Sequence, residues 1–285
     1  MKNILLPTDF SETASNALEY ALNFFKGESC IFYFLNIYTA GKYTTGDLWQ
    51  ASGEESVYDS LLLNKKIKLD VLIDQLEEKY QDKKYRFKGI ADYDEFTVAI
   101  NQVVESNKIH FIIMGTEGTK GLKEMVFGTH TQKVIQKVDC PILVVPKGVV
   151  FKGFKKILFT LDTEDKFNPS VIKPLISLMA NHKMSLDILK MKKEDQNSDD
   201  LAKEEKKIER AFKGTNPKIH MLSEVHLVDA INSLDQLIGI DMNVISAKKE
   251  VFLDRVLFGS SVSNIINSSR IPLLVLHEPR NEEKV

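Results

Sequence analysis

The residues that could support chemistry, by their type and spacing, are glycines and hydroxyl residues that follow a buried strand in the first half of the chain. An apolar run over 110–114 meets Gly115 and Gly118, and Gly128-Thr129 follows after nine further residues, where a helical pattern begins. Glycine can adopt positive φ and turn backbone N–H groups beyond the strand, and a helix start directs unpaired N–H groups to the same space. This pattern is typical of a site for an anion, usually a phosphate.

The residues around the start of this helix can add to the site. The hydroxyls of Thr129 and Thr131 can form hydrogen bonds with a phosphate. Thr129 can equally cap the helix, and His130 is expected to be an exposed residue of the first turn, since the sequence supplies it with no catalytic partner. The pattern therefore indicates binding rather than acid–base chemistry.

The spacing Gly115-x2-Gly118-x9-Gly128-Thr129 resembles the nucleotide signature of the universal stress protein family, G-x2-G-x9-G-[S/T]. The opening stretch 3–11 resembles the first strand and turn of that family. The resemblance covers the first half of the chain closely and the second half in outline. It implies that the first half binds ATP, or ADP or AMP, and a magnesium ion can arrive with the phosphates.

The resemblance also assigns roles to single residues. An aspartate at the position of Asp9 contacts the nucleotide near its sugar, and an apolar residue at the position of Ile37 lies against the adenine. From the residues alone, Asp9 could instead cap the following helix, with Glu12 at capping-box spacing, and Ile37 and Met114 could be plain core residues. The expected nucleotide contacts are Pro7, Thr8, Asp9, Ile37, Met114, Gly115, Gly118, Gly128, Thr129, His130 and Thr131.

Strand and helix patterns alternate through the first half of the chain. Strands are predicted at 2–6, 30–37, 85–90, 110–114 and 141–145, with helices between them and a long surface loop around Trp49. Such alternation predicts parallel pairing with helices on both faces of a sheet. The family resemblance implies the strand order 3-2-1-4-5, with the ligand crevice at the carboxyl ends of the first and fourth strands.

The pattern then restarts after a short boundary at 147–153. Residues 154–162 repeat the form of 2–9, so that Asp162 corresponds to Asp9, and 256–260 and 271–276 repeat 125–129 and 140–145. The expected architecture is therefore α/β, with two doubly wound five-stranded parallel-sheet domains at 1–147 and 154–285. The resemblance implies that their last strands, at 141–145 and 272–276, pair as an internal pseudo-dimer.

The second copy is shorter, and its phosphate pattern is incomplete. The difference in residue number between corresponding positions of the two halves is 153 at Asp162 but 131 at Gly259. The second half therefore lacks 22 residues, and we expect this loss in the Trp49 loop and the helix after it. Lys248-Lys249 follow its fourth strand where the first copy has glycines, and only Gly259-Ser260 remain. A side chain there fills the space that a phosphate needs, so we expect a degenerate second site.

Composition narrows the function further. The 285 residues suffice for two domains, and 43% hydrophobic and 27% charged residues with a net charge of −2 give no reason to expect nucleic acid or membrane as a partner. Cys30 and Cys140 lie beside strand patterns and are expected to be buried free thiols, as in a cytoplasmic protein. The histidines lack the spacing of a metal site.

The sequence thus predicts a nucleotide-binding stress-response protein that acts as a sensor or regulator. Nucleotide occupancy would be recognised by a protein partner, and the chain can form a homodimer. With no evident general base or nucleophile beside the phosphates, any ATP hydrolysis should be slow. Two alternatives remain open. One is a structural, protein-binding stress protein with a vestigial site, and the other is a small-molecule enzyme related to the adenine nucleotide α-hydrolases.

Overall fold

The computed structural model describes residues 1–37, 57–81, 84–116, 129–153, 155–161, 167–181, 184–192, 197–247 and 271–277. Several sequence predictions concern residues outside these ranges. They are the loop around Trp49, the glycines Gly118 and Gly128, Asp162, Lys248-Lys249 and Gly259-Ser260.

The elements of the first half follow the predicted alternation of strands and helices. In chain order they are β1 Lys2–Pro7, α1 Glu12–Phe24, β2 Cys30–Ile37, α2 Val57–Lys79, β3 Tyr85–Asp92, α3 Phe96–Ser106, β4 Phe111–Thr116, α4 Thr129–Lys137 and β5 Ile142–Pro146. The second half has β6 Lys156–Leu161, α5 Lys173–Asn181, β7 Ser185–Met191, α6 Ser198–Ala211, β8 Lys218–Leu222, α7 Leu227–Ile238, β9 Met242–Ala247 and β10 Leu273–His277.

The ten strands of the described residues belong to one continuous sheet. Its order is β3-β2-β1-β4-β5-β10-β9-β6-β7-β8, so each half has the strand order 3-2-1-4-5. Within each half the described pairs are parallel. The predicted α/β class and the doubly wound topology are therefore confirmed.

The two halves meet where β5 and β10 pair antiparallel. Leu273 lies opposite Val144, and Val275 lies opposite Ile142. The side chain of His277 reaches across this seam, with Nε2 2.8 Å from the carbonyl oxygen of Ile135 in α4. The predicted pairing of the two last strands is present, and it leaves β3 and β8 as the outer edges of the sheet.

A separate hydrophobic core covers each face of the sheet. Alternate residues of the strands point to opposite faces, so Phe32 and Phe34 of β2 pack toward α1 and α2, whereas Tyr33 and Leu35 pack toward α3 and α4. Cys30 and Cys140 are buried free thiols, as predicted. None of the helices in the described ranges is both long enough and apolar enough to cross a membrane.

The second half is shortened where the sequence predicted. Its helix α6 has 14 residues, whereas the corresponding α2 has 23. The connection before the helix is also shorter, because it comprises residues 192–197 in place of residues 38–56. These two differences account for the missing 22 residues.

Candidate functional site

The turn from β1 to α1 is held in place by four hydrogen bonds. The Thr8 backbone N–H extends the sheet by donating to the Leu35 carbonyl oxygen at 2.8 Å. The Phe10 N–H donates to Thr8 Oγ1 at 3.0 Å, and the Ser11 N–H donates to Asp9 Oδ1 at 3.0 Å. A fourth bond comes from β2, whose Asn36 Nδ2 donates to the Thr8 carbonyl oxygen at 2.6 Å. Pro7, Thr8 and Asp9 therefore occupy a fixed position at the sheet edge.

The interpretation of Asp9 as the cap of α1 is wrong. Ser11 is the N-cap, because its Oγ accepts from the Ala14 N–H at 3.2 Å. Asp9 instead closes a small turn onto Ser11, and its side chain stays exposed. Glu12, the other half of the supposed capping box, forms an ion pair with Lys147 at 2.7 Å.

The carboxyl group of Asp9 favours its ionised form. Desolvation by burial opposes ionisation, but hydrogen bonds from the Ser11 side chain and backbone outweigh it, so the pKa of Asp9 lies below its ordinary value. The positive charge of Lys65, on α2, contributes in the same direction. A carboxylate in this state accepts hydrogen bonds from hydroxyl groups.

Phe10 gives the turn a strained backbone. Its φ is 63°, in the left-handed region that bulky residues rarely adopt, and such a conformation costs about 1–2 kcal/mol. The surrounding hydrogen bonds and the packing of Phe10 against the core hold it there. Strain that is kept by its surroundings in this way is common at binding sites.

Gly115 is the penultimate residue of β4 and is extended, so its φ is not positive. The expectation that it turns its N–H by positive φ is therefore wrong for this glycine. Its missing side chain makes room for α1, since a Cβ atom at this position would lie 2.4 Å from the Thr13 carbonyl oxygen and 2.7 Å from Thr13 Cγ2. The first turn of α1 thus rests directly on the end of β4.

Two further contacts fix α1 over this edge of the sheet. Asn16 Nδ2 donates to the carbonyl oxygens of Pro146 and Val149, each at 3.3 Å, and the Glu12–Lys147 ion pair lies at the same end. The edge is therefore lined by the β1 turn, the start of α1 and the end of β4. Because Leu5 pairs with Ile112, extension of that register brings Thr8 opposite Gly115.

The other predicted contacts lie around this edge on the α3/α4 face. Ile37 ends β2 and is half-buried against that core, while Met114 is buried within it, which favours the core interpretation of Met114. Thr129, His130 and Thr131 form the first turn of α4. The Thr131 side chain is buried, with 3% of its surface exposed.

His130 behaves as the sequence predicted for an exposed residue of the first turn. Its ring is exposed and packs against Phe96, with the ring centroids 4.3 Å apart. Phe96 is the first residue of α3, so this contact joins the starts of the two helices. The assignment of His130 to the nucleotide stays a prediction.

Sequence reasoning missed Asn36. This residue is 2% exposed, and its Oδ1 is buried with no hydrogen-bond partner, while its Nδ2 holds the Thr8 carbonyl oxygen. The signal was present in the sequence, since Asn36 is the polar residue of an otherwise apolar strand, CIFYFLNI. A buried amide at such a place is expected to bind and position a neighbouring segment.

The second half differs from the first at the positions of Asn36 and Gly115 and at the start of its first described helix. Register places Lys190 where the first half has Asn36, and Lys190 Nζ lies 3.3 Å from Glu204 Oε1 of α6. Ser246 stands in place of Gly115. The first described helix of the second half begins at Lys173, which corresponds to residue 20 of the first half. Residues 167–172 are therefore not helical, whereas the corresponding residues 14–19 belong to α1.

A sequence model of the universal stress protein family matches residues 1–146 and 175–277. Over 156 residues the chain is 30% identical to universal stress protein MJ0577 of Methanocaldococcus jannaschii, which covers 51% of this chain and 95% of that protein. It is 27% identical over 154 residues to universal stress protein MJ0531 of the same organism, covering 51% of this chain and 82% of that protein.

The fold is similar over its whole length to a solved structure. The crystal structure of a universal stress protein from Archaeoglobus fulgidus superposes with a TM-score of 0.76 at 19% identity, covering 97% of this chain and 98% of that chain. At that identity the similarity bears on the fold alone. Together with the match over both halves, the strand order and the glycine spacing, it leads to one conclusion: this chain belongs to the universal stress protein family.

Proposed function

We propose that the first half binds an adenine nucleotide, ATP or its ADP and AMP relatives, and that the protein serves as a nucleotide-responsive sensor or regulator in the stress response. The observation that carries this proposal is the convergence at one sheet edge of the β1 turn with Asp9, the end of β4 at Gly115, and the first turn of α4. That edge is the switch point of a doubly wound sheet, where such folds bind ligands.

The phosphates are assigned to the β4–α4 side of the edge. The signature of Gly115, Gly118 and Gly128 spans this connection, and α4 begins directly after it at Thr129. Backbone N–H groups at a helix start and the positive end of the helix dipole favour an anion. The Thr131 hydroxyl, in the first turn of the same helix, can add a hydrogen bond.

The sugar is assigned to Asp9. Its carboxylate is exposed and ionised, and the strained turn that carries it is fixed by Asn36 and Ser11 before any ligand arrives. Such pre-organisation lowers the entropy cost of binding a ribose hydroxyl pair. The adenine is assigned to the end of β2 at Ile37, which is half-buried and lies at the same edge.

The second half is proposed not to bind nucleotide. Among its described residues the first helix begins at Lys173, later than α1 does in the first half, and a buried lysine paired with Glu204 replaces the asparagine that positions the turn. Its sequence has Ser246 and Lys249 in place of Gly115 and Gly118. Each difference removes a feature on which the first site depends.

Two to four hydrogen bonds with charged groups, each contributing about 1.5–3 kcal/mol before the cost of association, correspond to a dissociation constant on the order of micromolar. This suits a sensor that follows nucleotide levels. Asp9 is assigned to the sugar, and none of the groups assigned to the phosphates is a general base, so turnover of ATP is expected to be slow. A magnesium ion bound with the phosphates would supply charge neutralisation there.

Titration calorimetry of the full chain with ATP, ADP and AMP tests the proposal. We expect one nucleotide per chain, and we expect Gly118→Lys, which copies Lys249 of the second half, to abolish binding. The matched control is Gly121→Lys, which adds the same side chain in the same connection outside the signature spacing. Asp9→Ala should weaken binding of all three nucleotides.

The same titrations separate the alternatives. No heat with any of the three nucleotides would remove the nucleotide proposal and favour a structural protein-binding role. ATP turnover faster than a few per minute that disappears in Asp9→Ala would favour an enzyme instead. Equal loss of binding in Gly121→Lys and Gly118→Lys would show that the signature spacing does not define the site.

A further inference from the structure

A cavity of about 430 Å³ lies on the face of the sheet opposite to Ile37 and Met114. It is open to solvent and is bordered by α1, α2 and the carboxyl ends of β1 and β2. Its apolar lining includes Leu6, Leu18, Phe34, Ile67, Val71 and Leu72. This volume and composition fall within the range of small-molecule sites in proteins.

The cavity is distinct from the proposed nucleotide crevice. Leu6, Leu18 and Phe34 belong to the core on the α1/α2 face, whereas Ile37 and Met114 contact the core on the α3/α4 face. The two sites share only the β1–α1 turn, since Pro7 and Thr8 also line the cavity. A ligand in the cavity would therefore lie behind the turn that carries Asp9.

The mouth of the cavity has apolar side chains that the protein leaves in contact with water. Ile67 is 51% exposed and Val71 is 50% exposed, and Leu63, one turn earlier on α2, is 55% exposed. These residues recur at intervals of four, so they form a single stripe on the helix. A ligand with an apolar body that covered the stripe would remove this surface from water.

The polar lining is sparse and includes a single cation. Lys68 of α2, which follows Ile67 in sequence, lines the cavity. Within the described ranges it forms no ion pair. Ser15 and Gln75 are neutral. An ammonium group beside an apolar cavity, with no ion-pair partner among the described residues, complements an anionic head on an aliphatic chain.

We propose that this cavity binds an aliphatic carboxylate of medium chain length, such as a fatty acid. The carboxylate pairs with Lys68, and the chain lies over Leu72, Leu18 and Phe34. Thr8 forms part of the wall, so a bound chain would lie next to the β1–α1 turn. The inference stands on the cavity and Lys68, and it does not depend on nucleotide binding.

Calorimetric titration of the full chain with octanoate and with 1-octanol tests the proposal, because these probes share a chain and differ in charge. We expect octanoate to bind more tightly than 1-octanol. Lys68→Met should weaken octanoate about tenfold and leave 1-octanol unchanged. Lys66→Met, an exposed lysine of the same helix that does not line the cavity, is the matched control and should bind octanoate like the wild type.

A second variant tests the place of binding. Ala14→Leu adds volume inside the cavity and should remove binding of both probes, and thermal unfolding checks that the variant is folded. Octanoate should bind equally well to Gly118→Lys and in the presence of ATP. No heat with octanoate, equal effects of Lys68→Met and Lys66→Met, unchanged binding in folded Ala14→Leu, or competition with ATP would each overturn the proposal.

Discussion

The carbonyl oxygen of Thr13 lies so close to Gly115 that a single methyl group at position 115 would meet it at 2.4 Å. This contact joins the start of α1 to the end of β4, two segments that are about a hundred residues apart in sequence. The first glycine of the signature spacing is thus the residue that lets α1 pack closely on the sheet. Its conservative replacement tests the packing role without reference to any ligand.

Gly115→Ala is expected to lower the free energy of unfolding by about 3 kcal/mol, because the obstacle is helix backbone, which cannot rotate away. Urea unfolding followed by circular dichroism measures the effect. Ser246→Ala, at the corresponding register position of the second half, is the control and should change stability by less than about 0.5 kcal/mol. A loss below 1 kcal/mol in Gly115→Ala would contradict the close approach.

Asn36→Leu is expected to weaken ATP binding with little change in the free energy of unfolding. The variant loses the hydrogen bond to Thr8, worth about 1 kcal/mol, but it also removes a buried acceptor without a partner, whose burial costs about 1–3 kcal/mol. The two changes oppose each other, so stability should stay within about 1–2 kcal/mol of the wild type. ATP affinity should nevertheless fall several-fold, because the turn that carries Asp9 loses its anchor.

Parallel calorimetry and urea unfolding check this prediction. Asn23→Ala is the matched control, since the exposed Asn23 side chain donates to the Glu19 carbonyl oxygen of its own helix and, among the described residues, does not contact the β1–α1 turn. It should change neither quantity. An unchanged ATP affinity in Asn36→Leu would show that the turn keeps its position without the amide.

Asp235 of α7 is expected to make stability depend on pH. Burial raises its pKa to about 6, although a hydrogen bond with Asn243 acts in the opposite direction. Because the folded pKa lies above the ordinary value of 3.8, the stabilising contribution is complete below about pH 4 and is lost as the pH rises through 6. The loss should be about 1–2 kcal/mol, since solvent screening reduces the effect at a half-buried group.

Urea unfolding between pH 4 and pH 7 measures this dependence. Asp235→Asn should remove it, whereas Asp229→Asn, an exposed carboxylate on the same helix, should keep the wild-type profile. The idea fails if the two variants give the same profile.

The ion pair of Lys190 with Glu204 should stabilise the fold more than the exposed ion pair of Lys203 with Asp200 on α6. Lys190 is 2% exposed, so removal of Glu204 weakens the compensation of a buried charge, and Glu204→Ala should cost about 1–3 kcal/mol. Asp200→Ala breaks the Lys203–Asp200 pair, whose side chains are 77% and 65% exposed, and should cost less than about 0.5 kcal/mol. Thermal and urea unfolding compare the two, and equal costs would contradict the prediction.

Much of the fold could be predicted from the sequence, because buried parallel strands appear as short apolar runs and their repetition marks two similar halves. The pairing of β5 with β10 was expected only from the family resemblance, and the structure contains it. The site was predicted less completely. Ser11 and Asp9 are both good capping residues two positions apart, and only the backbone of the turn decides that Ser11 caps the helix.

The remaining features depend on contacts between distant segments, which no local pattern reveals. The proximity of Thr13 to Gly115 and the hold of Asn36 on Thr8 are of this kind. In the sequence Lys190 looks like an ordinary exposed charged residue. In the structure it lies on β7, buried and next to Glu204 of α6. Sequence periodicity thus finds the elements, and tertiary packing decides which of their polar residues are buried.

The antiparallel pairing of β5 with β10 takes place inside a single polypeptide. Its formation is therefore governed by an effective local concentration that the connecting chain sets, and it does not weaken on dilution as an association of separate subunits would. The two halves keep the same mutual orientation whether the cell holds many copies or few, and mutations can accumulate in one half without being copied into the other.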